Sequence, residues 1–312
     1  MLELALGVDI GGTNIEYGLV DQNGSIIYHK SIPTKTFPSP EDFIIFLKKD
    51  NGIQSYYTSI KGIGIGAPNG NYFTGTIDFA PNLDWEGIIP LRDLSETFLM
   101  LPTILTNDAN AAAVGEKIFG NAKDLSDFVT ITLGTGLGSG VYCNNQLVYG
   151  AHGIAGEYGH IRVIPNGRSC KCGRNGCLET YASSSGIVRS YNELDTPSKK
   201  TSQLNSLANV SAKDIFKLAL AKDAFALELV DFTADILGTA LADFACFSDP
   251  KAYILFGGIA QSGVLFSEKV ANRMNKQLLN PLKNKIEIRV SSLHNTNAAI
   301  LGNAAMVFHE MK

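Results

Sequence analysis

The sequence predicts an α/β protein built from two copies of one β-rich unit facing a shared cleft. Three observations predict it. Short apolar runs bounded by turn residues alternate with segments of helical spacing along the chain. The stretch DIGGTN…YGLVDQNGSII is echoed by TLGTGLGSGVYCNNQLV; each reads as strand, Gly-Thr-rich tip, strand, Asn-bearing turn, strand. A length of 312 residues, 45% hydrophobic and 18% charged, suits two globular domains with a sizeable core.

The first unit opens with an apolar strand over 4–10 that runs into Gly11-Gly12-Thr13. A second strand over 15–20, a turn at 21–24 and a third strand over 25–29 complete a glycine-tipped hairpin unit. Phe43, Ile44 and Leu47 give 41–49 a helical stripe, and 60–65 and 101–105 are short apolar runs of buried-strand type. The second of these leads into Asn107-Asp108 and an Ala-rich helix over about 109–119. The pattern then restarts: strand 128–133, tip Gly134-Thr135-Gly136, strand 139–143, a turn and strand 147–149. A loop-rich insertion (150–178) and a polar connection (192–211) precede helices over 212–221 and 224–247. A strand over 252–256 ends in Gly257-Gly258, and helix 262–277, strand 286–290 and helix 297–310 close the chain. The expected division is a smaller domain 1–112 and a larger domain 113–296 carrying a metal-binding loop at 150–180. The last helix, about 297–312, is expected to pack back on the smaller domain.

Composition excludes several classes of function. The net charge of −4, from 26 Lys+Arg and 30 Asp+Glu, argues against capture of nucleic acid. The longest apolar stretches, such as 252–260, fall far short of the ~20 residues that span a bilayer. The start, MLELALGVDIGG, lacks the basic region and cleavage site of a signal peptide. A soluble, cytoplasmic protein with no membrane partner is expected. Of five cysteines, three cluster at Cys170, Cys172 and Cys177, which reads as a metal site and not a disulfide framework. Cys143 and Cys246 lie in apolar surroundings and are expected to be ordinary buried thiols.

Four features carry chemistry. Each Gly-Thr tip offers backbone amides and a hydroxyl that can cradle phosphate oxygens. Alone, either is read more simply as a tight hairpin; paired in a repeat, they suggest a two-sided phosphate clamp. Asp9, just before the first tip, can hold Mg²⁺ through water or merely form the turn. Asp108 reads first as a helix N-cap; the functional alternative is a carboxylate at the sheet's C-terminal edge that takes a proton from an attacking hydroxyl. His160, Cys170, Cys172 and Cys177 fall within eighteen residues and suit tetrahedral Zn²⁺, closed and hence structural. Glu157 and Glu179 flank that knot as polyol hydrogen-bonders or plain surface carboxylates. Gly257-Gly258 admits either a ligand or a close-packed helix.

Together these motifs resemble the ROK family of sugar kinases, within the actin-like ATPase superfamily of duplicated ribonuclease H-like domains. The resemblance runs from Gly7 to about Gly302, through DIGGTN (9–14), GAPNG (66–70), APNLDW (80–85), NDANAAAVGE (107–116), LGTGLGSGV (133–141), GAHGIAGEYGH (150–160), CKCGRNGCLE (170–179) and GGIA (257–260). It implies ATP-dependent phosphorylation of a hexose, with glucose as the expected sugar. Fructose, mannose, N-acetylmannosamine or N-acetylglucosamine kinases and a non-catalytic sugar sensor are the alternatives. Asp108 would be the general base; Asn82, Asn107, Glu157, His160 and Glu179 would contact sugar hydroxyls. One ring nitrogen of His160 would face the sugar and the other the zinc. Asp9, Gly11, Gly12, Thr13, Gly134, Thr135 and Gly136 would serve the ATP phosphates and Mg²⁺, and Gly257 and Gly258 the nucleoside. A homodimer is also implied. A repressor would need an N-terminal helix-turn-helix, for which a phosphate motif beginning at Asp9 leaves no room. Two departures stand out: Asn69 where the family often has Gly, and Ala260 where it often has Ser.

Overall fold

The computed structural model describes residues 2–80, 83–293 and 298–311. The chain forms two compact units, Met1–Asp124 with Leu147–Ala155 and Asn295–Lys312, and Leu125–Gln146 with Gly156–His294. The 112/113 division read from sequence falls inside a helix of the first unit, and residues 150–155 of the loop also sort with that unit.

The first unit contains β1 (Leu4–Ile10), β2 (Asn14–Asp21), β3 (Ile26–Pro33), α1 (Pro40–Lys49), α2 (Asn51–Gln54), β4 (Ile60–Gly66), β5 (Gly70–Asn71), β6 (Thr76–Asp78), β7 (Ile88–Ile89), α3 (Leu91–Leu99), β8 (Thr103–Thr106) and α4 (Asp108–Ile118). Its main sheet has the order β3-β2-β1-β4-β8, antiparallel across β3-β2-β1 and parallel across β1-β4-β8. β1 and β4 read as nearly unbroken apolar runs because both of their faces are covered. Phe43, Ile44 and Leu47 of α1 join the core on one side. The C-terminal helix, Ala298–Glu310, packs Ile300, Ala304 and Val307 against Ala5 of β1 and Val20 of β2. α1 starts where Ser39 accepts a hydrogen bond from the Asp42 amide, with Pro40 at its first position and Lys48 and Lys49 in its last turn.

The C-terminal helix approaches β4 so closely that a Cβ on Gly64 would lie 1.8 Å from the Asn303 carbonyl oxygen. Backbone meets backbone there, so no rotamer change relieves the overlap. Gly64→Ala is expected to destabilise the protein by about 3 kcal/mol or more, read as a lower urea midpoint.

The second unit contains β9 (Phe128–Leu133), β10 (Leu137–Cys143), β11 (Gln146–Leu147), α5 (Glu179–Ala182), α6 (Ser184–Glu193), α7 (Ala212–Leu220), α8 (Ala224–Ser248), β12 (Ala252–Phe256), α9 (Val264–Gln277) and β13 (Glu287–Val290). Its sheet order is β11-β10-β9-β12-β13. In both sheets the order is third, second, first, fourth, fifth, with an antiparallel first hairpin and parallel later strands. The repeat seen in sequence is thus a duplication of topology.

The differences from expectation have local causes. The third strand of the second copy stops at Leu147, because Tyr149 stacks on Tyr72 at 3.9 Å and both hydroxyls donate to Glu310, at 3.2 and 2.8 Å. α3 and α6 carry no continuous apolar stripe in sequence, because small and polar residues sit on their buried faces: Leu91, Ser95 and Leu99, and Gly186, Ile187 and Ser190. Cys143 and Cys246 are exposed and not buried. Cys143 ends β10 on its outward side, and Cys246 shares the outer face of α8 with Phe247, which is 88% exposed. Among the described residues no helix is long and apolar enough to cross a membrane.

Candidate active site

The first unit places its chemistry at the C-terminal edge of its parallel strands. Asp9 lies near the end of β1 and faces Glu16 across the β1–β2 pair. Burial, then the charges of Asp108 and Glu16, push the Asp9 carboxyl up to about 7. Ionised Asp9 therefore costs the native state stability. That cost is absent below the ordinary carboxylate range, near pH 4, and grows as pH rises towards 7. A cation beside these carboxylates would remove it, so the residues present fit a hydrated Mg²⁺.

The structure assigns the cap of α4 to the residue before Asp108. The N-cap of α4 is Asn107, whose Oδ1 accepts the Asn110 amide at 2.7 Å. Asp108 is the first residue of the helix, and its Oδ1 accepts the Ala109 amide at 2.9 Å. Its side chain is open to solvent at the sheet edge, yet the protein crowding it pushes its carboxyl up. The helix N-terminus and the Ala109 amide oppose that shift. A solvent-reachable carboxylate of raised proton affinity, not spent on capping, is equipped to take a proton.

Both glycine tips are tied back through their carbonyls. In the first, Thr34 donates from Oγ1 to Gly11 O at 2.6 Å and from its amide to Thr13 O at 2.9 Å. In the second, the Ser184 amide donates to Gly134 O at 2.8 Å and Ser185 Oγ to Thr135 O at 2.7 Å. Gly12, Thr13, Gly134, Thr135 and Gly136 are exposed. With the carbonyls turned inward, the amides of Gly12, Thr13 and Thr135 are left for an anion.

The second unit gathers His160, Cys170, Cys172 and Cys177, whose ligand atoms all lie within 4.8 Å of one another. Cys172 Sγ is 3.6 Å from Cys177 Sγ, and Cys170 Sγ is 3.7 Å from His160 Nδ1. A tetrahedron with Zn–S bonds of about 2.3 Å has edges of about 3.8 Å, so the set fits zinc. It also assigns the histidine: Nδ1 faces the sulfurs, while Nε2 faces Glu157 at 3.9 Å. Glu179 Oε1 accepts from Cys170 Sγ at 3.0 Å and lies 3.7 Å from His160 Nδ1. Without a metal, burial pushes the Cys170 and Cys177 thiols up. His160 is carried on a short 3₁₀ turn, Tyr158–His160, held by Tyr158 against Phe244 and by the Tyr158 amide on Ser139 Oγ.

The double glycine after β12 divides its labour. Gly257 has φ +100° and its absent Cβ would lie 2.7 Å from Leu133 O, so packing requires it. Gly258 has open space instead, and it lines a pocket of about 430 Å³ with Phe216, Leu220, Ile259, Lys213 and Lys217. Sequence reading missed the α7 wall of this pocket; the signal was Lys213 and Lys217, four apart on a helix whose Leu220 is 58% exposed.

Of the departures, Asn69 adopts φ +54°, and its Nδ2 donates to Asp78 O at 2.9 Å and Phe79 O at 3.3 Å. It therefore anchors the chain leading towards residue 82. Asn82 itself lies outside the described residues. Asn69→Gly keeps the backbone conformation and loses the anchor. We expect a few-fold higher KM for the sugar with kcat held, checked by steady-state kinetics.

A duplicated five-stranded sheet with a phosphate-type tip in each copy defines an actin-like ATPase fold. The ROK family model matches residues 5–310. A glucokinase of Halalkalibacterium halodurans is 36% identical over 97% of this chain and 94% of its own. The crystal structure of a ROK family glucokinase from Streptomyces griseus in complex with glucose and AMPPNP superposes with a TM-score of 0.80 at 34% identity, covering 98% and 99% of the two chains. A xylose repressor of Bacillus spizizenii is 32% identical over 97% of this chain and 76% of its own. The chain belongs to the ROK family.

Proposed function

We propose that the protein is an ATP-dependent hexose kinase that converts glucose to glucose 6-phosphate. The observation that carries this reading is Asp108: the neighbouring Asn107 caps the helix, which leaves Asp108 as an accessible carboxylate with raised proton affinity. Likeness over nearly the full length to glucokinases supports glucose as the sugar.

In this reading Asp108 accepts the proton of the sugar hydroxyl as its oxygen attacks the γ-phosphorus, and the P–O bond to ADP breaks in line. Asn107 keeps its Nδ2 for a sugar hydroxyl while Oδ1 caps α4. His160 binds sugar through Nε2, with Glu157, Glu179 and Asn82 as further partners. His160 Nδ1 and the three cysteine sulfurs would hold zinc, which would fix the ring's orientation and its tautomer. The amides of Gly12, Thr13 and Thr135 and the threonine hydroxyls receive the phosphates, Gly11, Gly134 and Gly136 shape the tips that present them, and the pocket at Gly258 takes the nucleoside. Asp9 would hold Mg²⁺, which supplies neutralisation of the transferring phosphoryl group. The protein works in the cytoplasm as a homodimer.

The test is ADP release with Mg·ATP across glucose, mannose, fructose, allose, N-acetylglucosamine and N-acetylmannosamine. Strong turnover on glucose alone is expected. Preference for another sugar moves the specificity assignment to the loops around Asn69 and Asn82. Sugar binding without turnover on any sugar would favour the sensor reading, which the likeness to xylose repressors keeps in play.

A further inference from the structure

The corner joining α5 to α6 mounts two parts of the site on one piece of backbone. It holds the second phosphate tip through Ser184 and Ser185, as described. It also holds Glu179: Ser183 Oγ donates to Glu179 O at 2.6 Å, lies 3.0 Å from Ser185 Oγ, and accepts the Gly186 amide at 3.0 Å. Tip and carboxylate lie close together, since a Cβ on Gly136 would lie 2.9 Å from Glu179 Oε2.

Arg168 locks this corner from the protein interior. Its Nη1 donates to Thr180 O at 2.7 Å and Gly186 O at 3.1 Å, its Nη2 to Ser190 Oγ at 3.0 Å, and its Nε to Glu193 Oε2 at 2.7 Å. The guanidinium lies over the Tyr181 ring at 4.4 Å, and the Tyr181 hydroxyl accepts the Arg168 amide at 2.8 Å. The Arg168 carbonyl accepts the Gly176 amide at 2.7 Å, which ties the metal loop to the same residue. Only a planar fork reaches these acceptors together while stacking on a ring; a lysine ammonium cannot. The first unit uses a comparable device, since Thr34 Oγ1 holds the Gly11 carbonyl of the first tip.

We propose that Ser185 and Arg168 are positioning residues for the reaction. Ser185 aims the second tip's amides at the nucleotide phosphates, and Arg168 fixes the corner that carries both this tip and Glu179. The proposal rests on the roles given to the tip and to Glu179 above.

The test uses the full chain with zinc and compares Ser185→Ala, Ser185→Thr and Arg168→Lys with the unmodified protein. It measures KM for Mg·ATP and for glucose, kcat, zinc content, and the affinity for AMPPNP by calorimetry, which needs no turnover. Ser185 is exposed, so its replacement leaves folding intact. Loss of one hydrogen bond should weaken AMPPNP and raise the ATP KM about fivefold, with glucose KM within about twofold and Thr restoring the affinity. Arg168→Lys should weaken both substrates with zinc retained. Unchanged AMPPNP affinity in Ser185→Ala overturns the proposal, as does an Arg168→Lys protein that loses only thermal stability. Should Arg168→Lys not fold, the Ser185 pair decides alone. An unmodified protein that binds AMPPNP but phosphorylates no sugar refutes the kinase reading, while the calorimetric arm still decides this one.

Discussion

Asp108→Asn should lower kcat roughly a thousandfold, within the range that a positioned general base contributes, while glucose affinity stays within a few-fold. The two roles of an aspartate at a helix start predict opposite results. A cap lost to a poorer acceptor lowers stability and leaves turnover. A base lost to an amide removes turnover and leaves stability. Here Asn107 does the capping, and an asparagine at 108 can still accept the Ala109 amide. Because the protein pushes the Asp108 carboxyl up, its neutral replacement should hold or raise Tm. The pH dependence follows with the same sign. The base works ionised, so activity falls as pH drops through its folded pKa, and that limb should lie above the ordinary carboxylate range. Stopped activity with Tm held in thermal melts supports the base, whereas retained turnover with a lowered Tm would make Asp108 a structural residue.

The parts of this molecule legible in the sequence are those whose signal is local. The hairpins at the two tips, the apolar strands β4 and β12, and the long helix α8 each announce themselves by pattern and turn chemistry, and the repeat of the first hairpin correctly implied two sheets of one topology. The Cys-His knot was legible because four soft ligands within eighteen residues have few other uses. The rest depends on distant partners. Whether Asn107 or Asp108 caps α4 cannot be read from residue type, since both are good caps. That Tyr149 leaves its strand is decided by Tyr72 and Glu310, far away in the chain. Arg168 looks like a loop arginine until α6 supplies its acceptors. Asn69 stands out in sequence as a departure, but the partners of its amide, the backbone carbonyls of Asp78 and Phe79, come from a later turn of the chain.

Stripping zinc, or Cys177→Ser, should raise the glucose KM by tenfold or more and lower Tm, with a smaller loss of AMPPNP affinity. The magnitude follows from what outer partners of an oriented histidine are worth, about 10–100-fold. The asymmetry follows from geometry. His160 Nδ1 and Glu179 Oε1 both abut Cys170 Sγ, so loss of the metal loosens the setting of two of the residues assigned to the sugar. Metal loss leaves one readily ionised thiol, Cys172, where burial is outweighed by hydrogen bonds led by the Arg174 amide that bring it down to about 6, while burial favours the protonated thiols of Cys170 and Cys177. The knot should therefore loosen and not burst, and the corner behind it stays clamped by Arg168 through bonds that involve no metal ligand side chain. The second phosphate tip hangs on that corner and should largely keep its shape. Separate titrations of glucose and AMPPNP against metal-free protein distinguish the cases. Loss confined mostly to glucose means the zinc acts by aiming His160 and Glu179, whereas equal loss of both ligands would make it a staple for the whole second unit.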